Sequence, residues 1–401
     1  MKIITTEKLP IKMWLEEIED GAMAQIINLA NLPFAFKHIA IMPDSHQGYG
    51  MPIGGVLATK GVIIPNAVGV DIGCGMCAVK TSLTEIDKET LKKIMGEIRN
   101  VVPVGFEKHQ EKQDINLMPS YPIINVPEKV CYEHFNNALL SLGTLGGGNH
   151  FIEIQKGSDG HIWIMIHSGS RNLGKQVADY YNKIAKKLNE KWHSEVPVKA
   201  DLAFLPIESE EGKAYIREMN YCVEFALANR KLMMDRIKKI FAEETKCAFC
   251  SADGEIFDRK FNTWDIINIA HNYAKMENHF GENVMVHRKG ATLATKDTIG
   301  IIPGSQGTKS YIVRGKGNSD SFNSCSHGSG RKMGRNQAEK ELNLEEEIKK
   351  LDDQGILHAI RGKKDLDEAS GAYKDIKEVM KNQEDLVEVL VELSPLGVIK
   401  G

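Results

Sequence analysis

Residues 69–77, which read GVDIGCGMC, place the carboxylate of Asp71 and the thiol of Cys74 close together along the chain. A thiolate is a soft ligand and a carboxylate is a hard one, so a site that offers both suits a borderline divalent ion. Three further glycine-rich segments carry a histidine beside a short β-like run: residues 146–150 (GGGNH), 167–171 (HSGSR) and 326–331 (SHGSGR). Together, the four segments indicate a site built where strands end.

Three histidines complete a candidate ligand set. His150 and His167 stand at the ends of β-like runs, and His271 directly follows an apolar one. With Asp71 and Cys74 they offer enough donors for two metal ions, provided that the thiolate bridges them. A single histidine is more often a hydrogen-bonded structural residue, so the hypothesis rests on the group. The other histidines outside the 326–331 segment are expected to be structural or surface residues, with His46 an intermediate case: His38, His109, His134, His161, His193, His279, His287 and His358.

Two Cys-x-x-Cys pairs suggest a competing zinc site. Far more chain separates Cys74 and Cys77 from Cys247 and Cys250 than the roughly 15–20 residues typical of a zinc ribbon. A joint structural zinc site is therefore disfavoured. We expect Cys77 to be a small buried apolar residue.

His327 has the surroundings of a nucleophile. It lies in a glycine-rich segment followed by Arg331, Lys332 and Arg335. Histidine can attack phosphorus, and neighbouring cations can neutralise charge that develops on a phosphate. Residues 303–308 (PGSQGT) offer backbone N–H groups and hydroxyls that suit a phosphate or a base edge, although a plain hairpin turn explains this spacing nearly as well.

The composition is that of an ordinary globular protein. The chain has 401 residues, of which 42% are hydrophobic, and a net charge of −3. No apolar run reaches the ~20 residues that span a bilayer, and there is no signal-peptide pattern, so we expect a cytoplasmic protein. Seven scattered cysteines do not form a disulfide framework.

The elements predicted to position these residues favour an α+β fold, with β-sheets flanked by helices. We expect one domain over residues 1–401, with a helical insertion at about 175–245. Helices are predicted from an N-cap at Asp87 and over residues 177–192, 209–244 and 375–393, and a charged, solvent-facing helical excursion over 335–364. Strands are predicted at residues 39–42, 61–64, 151–154, 162–166, 284–287, 300–302 and 311–313.

The ordered segments resemble the RtcB family of RNA-splicing ligases over essentially the whole chain. The resemblance rests on segments at residues 10–14 (PIKMW), 37–40 (KHIA), 42–44 (MPD), 70–75 (VDIGCG), 145–153 (LGGGNHFIE), 167–171 (HSGSR), 271–272 (HN), 288–291 (RKGA), 302–305 (IPGS), 326–331 (SHGSGR), 372–375 (AYKD) and 398–401 (VIKG).

The resemblance implies an RtcB-like fold and a GTP- and Mn²⁺-dependent reaction that joins an RNA 3′-phosphate or 2′,3′-cyclic phosphate end to a 5′-hydroxyl end. It implies that His327 is the guanylylated nucleophile and that Asn149 positions a phosphate. It also implies two Mn²⁺ ions, bridged by Cys74, on the following ligands: Asp71, Cys74, His150, His167 and His271. Guanine would be held by Glu153, Ser305, Tyr373 and Lys400.

Two other functions stay open at this point. A metal-dependent 2′,3′-cyclic phosphodiesterase needs the metal ligands but not His327, and it consumes no GTP. A non-catalytic RNA-binding protein binds RNA with blocked ends as well as RNA with a free 3′-phosphate. The sequence also leaves open the biological RNA, in tRNA splicing or RNA repair, and any need for an archease-type activator protein.

Overall fold

Two antiparallel-rich sheets form the framework of the computed structural model, which describes residues 1–120, 129–247 and 266–401. Within these residues one sheet has six strands, in the order β1-β2-β3-β4-β12-β11, and β2 and β3 are its parallel pair. Its strands are β1 (Lys2–Ile4), β2 (Ile11–Met13), β3 (Ala35–His46), β4 (Ile53–Thr59), β11 (Asn272–His279) and β12 (Glu282–Lys289).

The second sheet carries most of the candidate ligands. Among the described residues it has seven antiparallel strands, in the order β10-β6-β8-β7-β17-β15-β14. These are β6 (Gly75–Lys80), β7 (Phe151–Gly157), β8 (Ile162–Ser168), β10 (Ile267–Ala270), β14 (Ile299–Ile302), β15 (Ser310–Gly315) and β17 (Val387–Lys400). Two short pairs complete the strands: β5 (Val62–Ile63) with β9 (Leu205–Pro206), and β13 (Ala291–Leu293) with β16 (Ser324–Ser326).

Helices cover the sheets, which confirms the α+β class. They are α1 (Asp20–Ala30), α2 (Pro65–Val68), α3 (Lys88–Val101), α4 (Lys129–Glu133), α5 (Phe135–Ser141), α6 (Leu173–Lys191), α7 (Glu210–Thr245), α8 (Arg335–Glu341), α9 (Leu344–Asp352) and α10 (Ile376–Lys381). None of the helices in the described part of the chain combines the length and the apolarity that crossing a membrane requires. That the chain is one domain stays a prediction.

The helices predicted near residues 88–101, 177–192 and 209–244 are confirmed. Asp87 caps α3, because its side chain accepts hydrogen bonds from the backbone N–H groups of Glu89 and Thr90. The long helix α7 is part of the core: Met233 and Ile237 pack in one buried cluster with Ile164 and other residues of the seven-stranded sheet. The segment expected to be an insertion therefore supports the sheet that carries the candidate ligands.

The prediction of one helix over residues 375–393 is correct only as far as Lys381. Helix α10 ends at Lys381, and β17 begins at Val387 and runs between β7 and β15. The apolar residues from Val387 alternate with glutamates, which is the period of a strand, and β-branched valines favour a strand. Residues 335–364 are helical in part, but Leu351 is buried, so this segment is not wholly solvent-facing.

Candidate active site

Three neighbouring strands bring the candidate metal ligands together. Cys74 immediately precedes β6, His167 lies near the end of β8, and His271 directly follows β10. Strand β6 pairs with both β8 and β10, so residues distant in sequence meet at one end of the sheet. The backbone N–H of His271 donates to the carbonyl of Cys74 at 2.9 Å, which fixes the two segments against each other.

The candidate ligand atoms form two groups that share one thiol. Cys74 Sγ lies 3.3 Å from His167 Nε2 and 3.5 Å from His150 Nε2. His150 Nε2 is in turn 3.4 Å from a carboxylate oxygen of Asp71. In each group, Cys74–His167–His271 and Asp71–Cys74–His150, the donor atoms all lie within 4.8 Å of one another. This is the arrangement predicted for two ions bridged by a thiolate.

The state of the donors fits a metal ion. Burial lowers the pKa of His167 and of His271 well below the usual value, so both rings are neutral and keep a lone pair. His167 Nδ1 lies 2.9 Å from the carbonyl of Asn149, which assigns the proton to Nδ1 and leaves Nε2 free to coordinate. His271 Nδ1 is buried without a hydrogen-bond partner among the described residues, and an ion would satisfy such an atom.

Cys74 differs from an ordinary reactive thiol. Burial and the nearby carboxylate of Asp71 raise the pKa of Cys74 well above the usual value. A thiol in this setting becomes a thiolate when a cation binds beside it, so metal binding here releases a proton.

His327 is held by a buried aspartate that the prediction of the site missed. A carboxylate can only accept hydrogen bonds, so the 2.6 Å contact between His327 Nδ1 and Asp44 Oδ2 places the proton on Nδ1. The same oxygen accepts the backbone N–H groups of His327 and Gly328 at 3.1 and 3.2 Å. Burial raises the pKa of Asp44, but the charge and hydrogen bond of His327 outweigh burial, and the net pKa is lowered. His327 Nε2 is thereby left with a free lone pair.

A cavity of about 240 Å³ joins His327 to the residues expected to hold a nucleotide. Glu153 reaches it from β7, Lys400 from the end of β17, and Ser305 from the loop between β14 and β15. That loop is a hairpin connection between paired strands and also lines the cavity, and its binding of a phosphate or a base edge stays a prediction. The cavity is lined by all of the predicted nucleotide-contacting residues: Asn149, Glu153, Ser305, His327, Tyr373 and Lys400.

Two buried carboxylates, those of Glu153 and Glu368, line this cavity. Burial, opposed by a hydrogen bond from Gln155 and the charge of Lys400, raises the pKa of Glu153 to about 8. Glu368, which the sequence prediction did not include, is 3% exposed. It contacts the hydroxyl of Tyr373, lies 3.7 Å from Lys400 Nζ, and pairs with Arg335 at 2.9 Å. Glu368 therefore ties the predicted guanine contacts to the cationic loop after His327.

Both omissions have a physical reason. Asp44 lies 283 residues from His327 in sequence, and no spacing rule joins them. Its one signal was its place in the MPD segment of the family resemblance. Glu368 follows a charged stretch, residues 361–367, in which a carboxylate is unremarkable.

A second, larger cleft opens beside the cavity. Its volume is about 750 Å³, and it contacts the metal-binding side of the site through Asp71, Cys74 and His271. His327 and Asn149 line both spaces. His46, the intermediate case among the histidines, also lines both. The candidate nucleophile thus stands between a nucleotide-sized cavity and an open cleft.

The remaining cysteines give no support to a zinc site. Cys77 is fully buried in β6, as expected for a small apolar residue. Cys247 is buried just after α7 and belongs to neither group of candidate ligands found among the described residues. Its partner in the motif, Cys250, lies outside the described residues.

Comparisons with known proteins agree with this geometry. The family model described as tRNA-splicing ligase RtcB matches residues 25–124 and 121–401. RNA-splicing ligase RtcB of Escherichia coli strain K12 is 40% identical over 420 residues, covering 100% of this chain and 99% of that protein. tRNA-splicing ligase RtcB of Thermococcus kodakarensis is 31% identical over 454 residues, covering 96% and 92%. That of Nanoarchaeum equitans is 32% identical over 471 residues, covering 100% and 95%.

Proposed function

This chain belongs to the RtcB family, and from that membership we propose that it is an RNA ligase dependent on GTP and Mn²⁺. The reaction joins an RNA 3′-phosphate or 2′,3′-cyclic phosphate end to a 5′-hydroxyl end. One observation carries the proposal: His327, with Nδ1 fixed by Asp44, lies between the nucleotide-sized cavity and the cleft beside the candidate metal ligands.

The first step is nucleotidyl transfer to His327. Its Nε2 attacks the α-phosphorus of GTP, a P–N bond forms, the bond from the α-phosphorus to the bridging oxygen breaks, and pyrophosphate leaves. Positive charge develops on the ring as the P–N bond forms. Asp44 stabilises that charge through the 2.6 Å hydrogen bond, and it needs no reorganisation to do so.

The cavity selects guanine in this proposal. Guanine presents two N–H donors on one edge, and the carboxylate of Glu153 offers two matching acceptors. Lys400 and Ser305 line the same cavity and can bind the carbonyl edge of the base. Arg331 lines the same cavity, with its guanidinium 5.1 Å from the ring centre of Tyr373, one of the predicted guanine contacts.

The remaining chemistry takes place in the cleft. A cyclic end is first hydrolysed to the 3′-phosphate. A 3′-phosphate oxygen then attacks the phosphorus of the His327–GMP adduct, which breaks the P–N bond and frees the histidine. The RNA 5′-hydroxyl finally attacks the activated 3′-phosphorus, and GMP leaves. Bound Mn²⁺ ions supply charge neutralisation at the phosphoryl oxygens, and the residues that would hold them are Asp71, Cys74, His150, His167 and His271.

The phosphodiesterase alternative uses only part of this arrangement. It leaves unexplained the Asp44–His327 pair and a cavity lined by six residues expected to contact a nucleotide. We therefore favour the ligase. For the ligase, we propose from the resemblance alone that the biological process is tRNA splicing or RNA repair and that an archease-type activator is a partner.

A ligation assay tests the proposal. Two RNA fragments, one with a 3′-phosphate and one with a 5′-hydroxyl, are incubated with the protein and Mn²⁺, with and without GTP. We expect a joined product only with GTP, and none from His327→Ala. The matched control is His358→Ala, since His358 lies 3.3 Å from Asp352 and lines neither the cavity nor the cleft. Cyclic ends opened without GTP and never joined would instead support the phosphodiesterase.

A further inference from the structure

A completely buried arginine lies beneath the candidate metal ligands. Arg230, in α7, has 0% exposed surface. No carboxylate pairs with it in the part of the chain that the structure describes. Burying a guanidinium costs several kcal/mol unless its donors are satisfied, so such a residue requires a local reason.

Hydrogen bonds from two of its three nitrogens supply that reason, while the third, Nη2, is buried without a partner among the described residues. Arg230 Nη1 donates to the carbonyl of Gly73 at 3.0 Å and to the carbonyl of Ser168 at 2.7 Å. Its Nε donates to the side chain of Asn268 at 2.7 Å. Gly73 precedes Cys74, and Ser168 follows His167. Asn268 lies in β10, the strand that ends just before His271.

Asn229, which precedes Arg230 in α7, also contacts segments that carry candidate ligands. Asn229 Nδ2 donates to the hydroxyl of Ser168 at 3.2 Å and to the carbonyl of Gly169 at 3.2 Å. Its Oδ1 accepts the backbone N–H groups of Gly143 and Thr144 at 2.7 and 3.2 Å. The latter two begin the glycine-rich loop that carries His150.

We propose that Asn229 and Arg230 are positioning residues for the metal centre, holding from below the four segments that carry Cys74, His150, His167 and His271. Neither side chain is among the candidate ligands, so both act through neighbouring groups, which are backbone atoms, the hydroxyl of Ser168 and the side chain of Asn268. This inference rests on the metal centre of the proposed function. It also gives α7 a role at the site besides packing.

The test measures metal binding rather than ligation. Co²⁺ alone is titrated into the full-length protein by calorimetry, and absorbance follows its thiolate charge-transfer and ligand-field bands. The variants are Arg230→Met, Arg230→Lys and Asn268→Ala. Lys231→Met is the matched control, because Lys231 follows Arg230 in the same helix, and its exposed side chain pairs with Asp235 at 2.8 Å. Circular dichroism and thermal melting establish that each variant is folded.

We expect Arg230→Met to weaken Co²⁺ binding roughly 10- to 100-fold, which is usual for residues that orient metal ligands. Arg230→Lys, with the charge but not the fork of donors, should recover only part of that affinity. Asn268→Ala removes the bond from Arg230 Nε, together with the bond that Asn268 donates to the carbonyl of Leu227, and should weaken binding of one of the two ions, that of the Cys74–His167–His271 group. Lys231→Met should bind as the wild type does.

The results that would overturn the inference differ from the result that would overturn the metal centre. Wild-type Co²⁺ affinity and spectrum in folded Arg230→Met would overturn the inference and leave the metal centre intact. If Arg230→Met does not fold, wild-type Co²⁺ affinity in Asn268→Ala overturns the inference. An equal loss in Lys231→Met would also overturn it, because general damage to α7 would then suffice. A wild-type protein that binds no Co²⁺ would overturn the metal centre itself and, with it, this inference.

Discussion

Replacing Asp44 by asparagine isolates the charge that supports His327. Asp44 Oδ2 accepts three N–H groups, from the His327 ring and from the backbone of His327 and Gly328. An asparagine oxygen can occupy the same place. Its amide nitrogen then replaces Oδ1, which has no hydrogen-bond partner among the described residues. The substitution therefore retains the geometry and removes the negative charge.

The expected loss follows from the charge on the ring. During attack on phosphorus the imidazole becomes positive, and its hydrogen bond to Asp44 then joins two charged partners. Such a bond contributes about 1.5–3 kcal/mol, about twice a neutral one, and asparagine keeps a neutral acceptor, so about half of this contribution is lost. Since about 1.4 kcal/mol corresponds to tenfold in rate, the His327–GMP adduct should form roughly 3- to 10-fold more slowly in Asp44→Asn.

The assay is single-turnover adduct formation with GTP labelled at the α-phosphate, at saturating GTP and Mn²⁺. The control is Asp352→Asn, which changes a surface aspartate 3.3 Å from His358 and should react at the wild-type rate. Thermal melting checks that Asp44→Asn is folded. A folded Asp44→Asn variant that forms the adduct at the wild-type rate would refute the role given to Asp44.

Other expected outcomes concern the metal and the guanine cavity. Cys74→Ala should lose bound metal by elemental analysis, because both ligand groups share that thiol, whereas Cys247→Ala should keep it; metal loss in Cys247→Ala would revive a zinc site. The pKa of Glu153 is about 8, and the carboxylate form binds guanine, so the KM for GTP should fall as pH rises from about 6.5 to 8.5. A KM that rises over that range would contradict this assignment, and Glu153→Gln should abolish the trend. Lys400→Met should raise the KM for GTP roughly tenfold, the cost of a hydrogen bond from a charged group; an unchanged KM would remove Lys400 from the contacts.

Local sequence signals located most of the site. Glycine-rich turns beside β-like runs mark strand ends, and the structure gathers His150, His167 and His271 around Cys74 at such ends. The order of the segments then identified the family. These signals are local, and they succeed because each ligand stands on a short, distinctive stretch of chain.

The parts that were not predicted depend on tertiary contacts. Asp44 and Arg230 act on residues remote in sequence, and neither stands in a pattern that implies its partner. Leu386, Val387 and Leu390 also continue the apolar spacing of the helix that begins at Ile376, and pairing with β15 decides between the two periods in favour of a strand. That strand places Lys400 at the cavity.

The central claim is a covalent GMP on His327, and intact-protein mass spectrometry tests it most directly. The protein is incubated with GTP and Mn²⁺, with and without EDTA, and the adduct is mapped by peptide analysis. We predict a mass gain of one GMP on the peptide that contains His327, absent with EDTA and absent in His327→Ala. An undiminished adduct in His327→Ala, or no adduct in a protein that binds metal, would contradict the account.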